Sequence, residues 1–247
     1  MRKAFAFMIS ALLTVSTLNA QQSFPRWRAL LVMGPSFPVG NFGNTNWDSI
    51  PGRSGATPGI AAELGLQYTL KNRHIGIGLV LGWQENGGNT APVKDGLLIY
   101  NPDPNQIRVQ MDHWSVWKIL AGPEFNWPIS MHSKFRIESG VEAGILKTSI
   151  PAYSYQVYFA DTHDWSAVGN IGSVSLPASF CYQGHAGMEY RLNHYIQLKA
   201  DVNYSHAESS VQQYQYGFPP NANFAVMKKY SYPISSVNIL IGFAFEF

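Results

Sequence analysis

Residues 236–247 read Ser-Val-Asn-Ile-Leu-Ile-Gly-Phe-Ala-Phe-Glu-Phe. Large apolar side chains occupy every second position from Val237 to Phe247, and small or polar residues occupy most of the positions between them. Successive side chains of a β-strand point to opposite faces, so this alternation predicts a strand with one wholly apolar face. A helix would mix the two sets of residues, because its period is 3.6 residues.

The same alternation recurs in seven segments upstream, which are residues 26–37, 59–70, 74–84, 113–127, 134–147, 178–191 and 194–206. Each is about as long as a tilted membrane-spanning strand, which needs roughly 9–11 residues. The connections alternate between short ones (71–73, 128–133 and 192–193) and long ones (38–58, 85–112, 148–177 and 207–233). This rhythm of tight turns and long loops is typical of outer-membrane barrels.

The distribution of charge indicates which environment the two faces meet. We expect the apolar face to carry no Asp, Glu, Lys or Arg, because a lipid-facing Arg or Lys at the midplane costs about 2–4 kcal/mol. A soluble barrel would turn its apolar face inward, whereas here the charged face must be the inner one. The sequence therefore predicts an all-β fold, an eight-stranded antiparallel transmembrane up-and-down β-barrel. The predicted lumen charges are Arg28, Glu63, Lys118, Glu124, Arg136, Glu138, Glu142, Glu189, Arg191, Lys199, Asp201 and Glu246.

The interior of an eight-stranded barrel is only wide enough for its own side chains. Buried charges are tolerated when they are paired, so we expect an ion-pair and hydrogen-bond network that plugs the lumen. Glycines on the same face would make room for the long side chains. The alternative for these charges is a narrow path for ions or solutes.

Other features of the sequence indicate where the protein is located and which kinds of partner it is expected to have. Residues 1–20 have the basic start, the short apolar stretch and the small final residue of a cleaved signal peptide, which leaves residues 21–247 as the barrel domain. Of the 17 Lys and Arg residues, removal of Arg2 and Lys3 leaves fifteen, equal to the 15 Asp and Glu. A nucleic-acid partner, which would favour a basic excess, is therefore not expected. Cys181 is the lone cysteine, so no intramolecular disulfide can form.

No catalytic, metal-binding or cofactor-binding residues are predicted. His113 and Ser115 share a face near one end of a strand, but Glu124 lies on the opposite face, and a catalytic triad needs mutual hydrogen-bond reach. The seven histidines show no convincing metal-ligand spacing. We therefore expect a protein that is not an enzyme, and a lipid A-modifying enzyme is the least favoured alternative.

Aromatic residues are concentrated in two of the long connections. Exposed aromatics are favoured at binding surfaces, so they are predicted either to form a contact surface for an extracellular protein or glycan, or to lie on strand extensions within an interfacial girdle. The sequence leaves both interpretations open. The residues are Tyr153, Tyr155, Tyr158, Trp165, Tyr214, Tyr216 and Phe218.

Four stretches carry a resemblance to a known class. They are residues 19–22 (Asn-Ala-Gln-Gln), 34–42 (Gly-Pro-Ser-Phe-Pro-Val-Gly-Asn-Phe), 190–194 (Tyr-Arg-Leu-Asn-His) and 241–247 (Ile-Gly-Phe-Ala-Phe-Glu-Phe). With them the chain resembles the small outer-membrane barrels of Bacteroidetes, in the OmpA/OmpX-like class, and is similar in size and layout to PorT-type proteins. The resemblance implies location in the outer membrane, contact with its lipid, and recognition of the aromatic C-terminus by the barrel-insertion machinery. Two roles remain compatible with it. The first is a structural or binding role through long extracellular loops, and the second is that of a component of a transport or secretion system.

Overall fold

The computed structural model describes residues 27–44, 55–70, 74–91, 94, 103, 106–129, 133–159, 163–216 and 225–247. Residues 1–20, where the signal peptide is predicted, lie outside these ranges. No helix in the described part is long and apolar enough to cross a membrane. The strands are β1 (Trp27–Pro38), β2 (Ala56–Thr69), β3 (Ile75–Gly88), β4 (Ile107–Met111), β5 (Trp114–Pro128), β6 (Phe135–Ile150), β7 (Tyr153–Phe159), β8 (Asp164–Ile171), β9 (Val174–Ser175), β10 (Ser179–Arg191), β11 (Ile196–Tyr216) and β12 (Ala225–Glu246).

Eight of these strands close into a barrel, in the order β1, β2, β3, β5, β6, β10, β11 and β12. Every neighbouring pair is antiparallel, and β12 pairs with β1 to close the sheet. Arg28 of β1 therefore lies opposite Gln67 of β2 on one side and Glu246 of β12 on the other. The predicted eight-stranded up-and-down topology is confirmed.

The barrel has two different ends. The turn end holds the short connections 70–74, 129–134 and 192–195, with the start of β1 and the end of β12. The loop end holds the long connections, and in outer-membrane barrels this end faces outward. The prediction of a loop over 207–233 was wrong for most of that range, because β11 and β12 continue pairing as far as Tyr216 and Ala225.

Two other predicted loops also contain strands. At the loop end, β4, β7 and β8 form a separate three-stranded antiparallel sheet, with β7 at its centre. The short strand β9 pairs with the end of β6. The long connections 85–112 and 148–177 thus meet each other, and a pairing between residues so distant in sequence leaves no local signal.

The outer face of the barrel is an apolar belt between two aromatic girdles. At the turn end the ring pairs are Trp27–Tyr68, Phe135–Tyr190 and Phe125–Trp127, and near the loop end Trp83 pairs with Trp117. Trp117 and Trp127 stand ten positions apart on β5, which is about 33 Å along a strand and about 25 Å after a tilt of about 40°. That is the height of the apolar band of an outer-membrane barrel, so the outer face is built for lipid.

The expectation that the apolar face carries no charge was wrong at one position. Lys147 is exposed on the outer face of β6, opposite Trp117 in register. It stands beside the aromatic girdle near the loop end, where a lysine can extend its ammonium toward the headgroups. The cost of a charge falls toward the interface, so the belt between the girdles still excludes charge.

Candidate functional site

The lumen near the turn end is filled by a network centred on Arg28. Its guanidinium forms an ion pair with Glu189 and lies 3.6 Å from Glu138 and 3.7 Å from Glu246. Gln67 and Asn126 also accept hydrogen bonds from Arg28, at 2.8 and 3.1 Å. Arg28 is 2% exposed, so its charge is balanced entirely by these neighbours.

Two lysines extend this network toward the middle of the lumen. Lys199 Nζ donates to Glu138 at 2.8 Å and lies 3.6 Å from Asp201. Lys118 Nζ lies 2.7 Å from Glu63 and donates to the side-chain oxygen of Gln183 at 2.5 Å. Gly82 faces Lys118 across the β3–β5 pair, and a Cβ there would overlap the lysine chain.

Two further predicted charges, Arg136 and Arg191, sit at the turn-end mouth. Arg136 is partly buried, with its guanidinium 3.0 Å from Glu246 and 3.7 Å from Glu189. Arg191 is exposed at the end of β10 and has no ion pair among the described residues. The structure thus brings together the other predicted lumen charges and leaves Arg191 outside the network, because β10 has already reached the turn end at that residue.

A histidine joins two of the buried glutamates. His185 Nε2 lies 3.1 Å from Glu124 Oε2, and Nδ1 lies 2.7 Å from Glu142 Oε1. The three residues come from β10, β5 and β6, and all are buried. The sequence analysis did not include His185 in the lumen network, because its partners are more than 40 positions away along the chain. Its position on the predicted inner face of β10 was the one feature that could have indicated it.

The loop-end half of the lumen holds a buried apolar cluster, which the sequence did not predict, beside a group of buried uncharged polar side chains. Seven barrel strands contribute inner-face residues to one buried cluster, and Phe42 from the connection after β1 packs edge-on against Trp114 at a ring distance of 5.6 Å. Leu120, Leu146 and Cys181 lie within the same cluster. Alternation assigned these positions to the polar face, but only tertiary contacts show that they meet each other.

The three-stranded sheet presents a group of side chains at the loop end, in which Arg108 is exposed and two aromatic rings are half-buried. The Arg108 guanidinium of β4 lies over the Trp165 ring of β8, 3.9 Å from its centroid. Tyr158 of β7 packs against the same ring at 5.5 Å, and its hydroxyl lies 3.5 Å from His163 Nδ1. We call Arg108, Tyr158 and Trp165 the loop-end cluster. Arg108 was not singled out from the sequence, since one arginine in a long connection carries no pattern.

The other predicted contact residues lie apart from this cluster. In register, Tyr153 and Tyr155 pair with Met111 and Val109 of β4. Burial, and then the neighbouring Tyr155, raises the pKa of Tyr153. Tyr214 and Tyr216 lie on the extended β11, and Phe218 lies outside the described residues.

The residues considered for catalysis do not converge. His113 Nδ1 lies 3.5 Å from Glu85, on the outside of the barrel, whereas Glu124 is buried in the lumen. Further along, His206 Nδ1 lies 2.7 Å from Ser235 Oγ, but the nearby Glu208 accepts a hydrogen bond from Ser231 instead. Neither group forms the Ser-His-acid arrangement that acyl transfer needs.

No family model matches the sequence, and no curated protein matches it. Among solved structures, Neisserial surface protein A is similar with a TM-score of 0.47 and 10% identity, over 90% of this chain and 97% of that one. OprG of Pseudomonas aeruginosa has a TM-score of 0.47 and 15% identity, over 92% and 98%. AlkL in lipid bilayers has a TM-score of 0.44 and 12% identity, over 93% of each chain. Similarities at this level say nothing of function, whereas the closed barrel and its belt by themselves identify an outer-membrane β-barrel.

Proposed function

We propose that this outer-membrane barrel is not an enzyme, that its lumen is plugged, and that it acts by binding a ligand at the loop end. The observation that carries the proposal is the loop-end cluster, where a guanidinium and two rings are held together on a sheet beyond the membrane belt. Arginine and aromatic residues dominate binding energies at interfaces. A rigid sheet also presents them at little cost in conformational entropy.

The chemistry of the loop-end cluster favours an acidic glycan as the ligand. A guanidinium binds carboxylate or sulfate groups with two parallel hydrogen bonds. The two neighbouring rings supply flat apolar surfaces on which a sugar ring can pack. Tyr158 also carries a hydroxyl group at the edge of its ring, which is available for a hydrogen bond. Arg108 is exposed, so its charge remains available to a ligand.

The first prediction concerns this cluster. Folded protein in nanodiscs is expected to bind a labelled acidic polysaccharide, and Trp165→Ala is expected to weaken binding about 30-fold, which corresponds to about 2 kcal/mol. Fluorescence anisotropy measures the affinity. Lys134→Ala, at the turn end, is the control and should bind like the wild type. Equal binding by wild type and Trp165→Ala would contradict the proposed surface, and binding of a neutral polysaccharide with the same affinity would contradict the role of Arg108.

The second prediction concerns the lumen. We expect no conductance steps from the wild type in planar bilayers, because buried charged side chains fill the turn-end half. The cluster around Phe42 and Trp114, with buried uncharged polar side chains beside it, fills the loop-end half. Migration on SDS gels with and without boiling verifies that the same sample is folded. Reproducible steps from folded protein would overturn the plugged lumen. They would favour the alternative that the resemblance to PorT-type proteins suggested, a component of a transport or secretion system.

A further inference from the structure

We propose that Glu124, Glu142 and His185 form a binding site for one divalent transition-metal ion inside the lumen, with Zn²⁺ as the expected occupant. Each residue offers one ligand atom, and these atoms all lie within 4.8 Å of one another. Ligand atoms around Zn²⁺ stand roughly 3.3 Å apart, as tetrahedral bonds of about 2.0–2.1 Å require. Small side-chain movements therefore suffice to bring the three ligand atoms to the spacing that a bound ion requires.

The buried carboxylates lack partners that would otherwise satisfy them. Glu124 and Glu142 are both 0% exposed. Apart from the contacts with His185, none of their four carboxylate oxygens has a hydrogen-bond partner among the described residues. Asp201 lines the same small cavity and also has an oxygen without a partner. Unpaired buried carboxylates are costly, and a bound cation would remove that cost.

The charge of the whole lumen points the same way. Among the described residues, the inner network holds more carboxylates than Lys and Arg side chains. The carboxylates are Glu63, Glu124, Glu138, Glu142, Glu189, Asp201 and Glu246, and the cations are Arg28, Lys118, Arg136 and Lys199. A protonated His185 would supply one positive charge, whereas a divalent ion bound to neutral His185 supplies two and brings the lumen closer to balance.

The backbone leaves space for this arrangement at Gly140. Gly140 of β6 lies between Glu124 of β5 and His185 of β10 in register. A Cβ at this position would lie 2.5 Å from His185 Cε1 and 2.6 Å from Glu124 Oε2. A Cβ would therefore displace the ends of both side chains, whereas glycine lets the two ligands approach each other across β6.

The donor set selects the kind of ion. Imidazole suits Zn²⁺ and its first-row neighbours, whereas Mg²⁺ and Ca²⁺ prefer ligand sets made of oxygen alone. Three protein ligands leave one position of a tetrahedral ion open, and all three residues line a small cavity. A mixed site of this kind is expected to hold Zn²⁺ in preference to Mg²⁺.

The test measures metal in the folded full-length protein. Protein purified from membranes without chelators, or refolded with ZnCl₂, is expected to retain about one Zn²⁺ per chain by mass spectrometry of the metal content. Glu124→Gln and Gly140→Ala are expected to lower the affinity by about 10-fold or more. Glu208→Gln, on the exposed outer face of β11, is the control and should retain the ion. MgCl₂ in place of ZnCl₂ should leave no retained ion.

Folding is checked for every variant by the shift on SDS gels. If a variant fails to fold, Co²⁺ loaded into the wild type gives an independent measurement, because nitrogen and oxygen ligation in a closed site produces visible absorption bands that differ from those of hydrated Co²⁺. Bands at one equivalent support the site. Wild-type Zn²⁺ retention equal to that of folded Glu124→Gln, or Co²⁺ with only the hydrated spectrum, would overturn it and leave His185 as a cationic bridge between two glutamates.

Discussion

Replacing Arg28 by methionine is expected to destabilise the folded barrel by about 3–5 kcal/mol, the usual cost of removing one partner from a buried ion pair. Glu189, Glu138 and Glu246 all lie within ion-pair distance of this guanidinium, and Glu189 is its nearest partner. Methionine keeps much of the volume of arginine, so the effect measures charge rather than packing. Urea unfolding of the protein in detergent, followed by tryptophan fluorescence, gives the free energy of unfolding.

The matched control for Arg28 is Arg191→Met. Arg191 is exposed at the end of β10 and lies outside the lumen network, so its replacement should change the free energy of unfolding by no more than about 0.5 kcal/mol. Adding Glu189→Gln to Arg28→Met is expected to recover part of the loss, because one unpaired charge is removed with the other. Equal stability of Arg28→Met and the wild type would show that the network contributes nothing to folding.

Introducing arginine at Val141 is expected to destabilise insertion into lipid by about 2–4 kcal/mol. Val141 is exposed on the outer face of β6, midway between Phe135 at the turn-end girdle and Lys147 near the loop-end girdle. An arginine there has no interface within easy reach, so its charge must be solvated inside the apolar belt. Equilibrium folding into lipid vesicles in urea measures the change.

The control for Val141 lies on the same strand. Ser149→Arg places the same side chain eight positions nearer the loop end, where a charge is expected to cost about 0–1 kcal/mol. The difference in folding free energy between the two variants measures the effect of depth in the membrane, because the effect of arginine on strand formation is common to both and cancels. Equal costs for Val141→Arg and Ser149→Arg would show that the belt between the girdles is not where lipid lies.

Period-two alternation was sufficient to predict the barrel strands because each one separates a lipid-facing set from an inner set. The predicted segment 113–127 corresponds to β5 at 114–128, and 178–191 corresponds to β10 at 179–191. The prediction of long loops failed above the membrane, at the continuation of β11 and β12 and at the sheet of β4, β7 and β8. Strand extensions carrying the tyrosines of these connections had been left open as an alternative. Beyond the membrane no lipid requires one face of a strand to be apolar, so the chemical contrast that reveals a strand is not imposed there.

The sequence predicted which residues point into the lumen, but it did not predict which of them contact each other. The sequence indicated that Arg28, Glu142 and Lys199 point inward, since their neighbours on either side are apolar. It did not indicate which charges pair, because the partners come from strands that are adjacent only after the barrel has closed. His185 stayed hidden for the same reason, as its meeting with Glu124 and Glu142 depends on the relative shift of three strands.

The sequence by itself determined the number of barrel strands, their antiparallel order and the side of each strand that meets lipid, since all three follow from local alternation and from the lengths of the connections. Only the tertiary structure decided the register between strands, the division of the lumen into a charged half and a half filled by apolar and uncharged polar side chains, and the loop-end cluster of Arg108, Tyr158 and Trp165. Lipid imposes the same requirement on every strand, so it leaves a repeated local pattern. Contacts across the lumen and between loops are each made once, between residues far apart in the chain, and leave no such pattern.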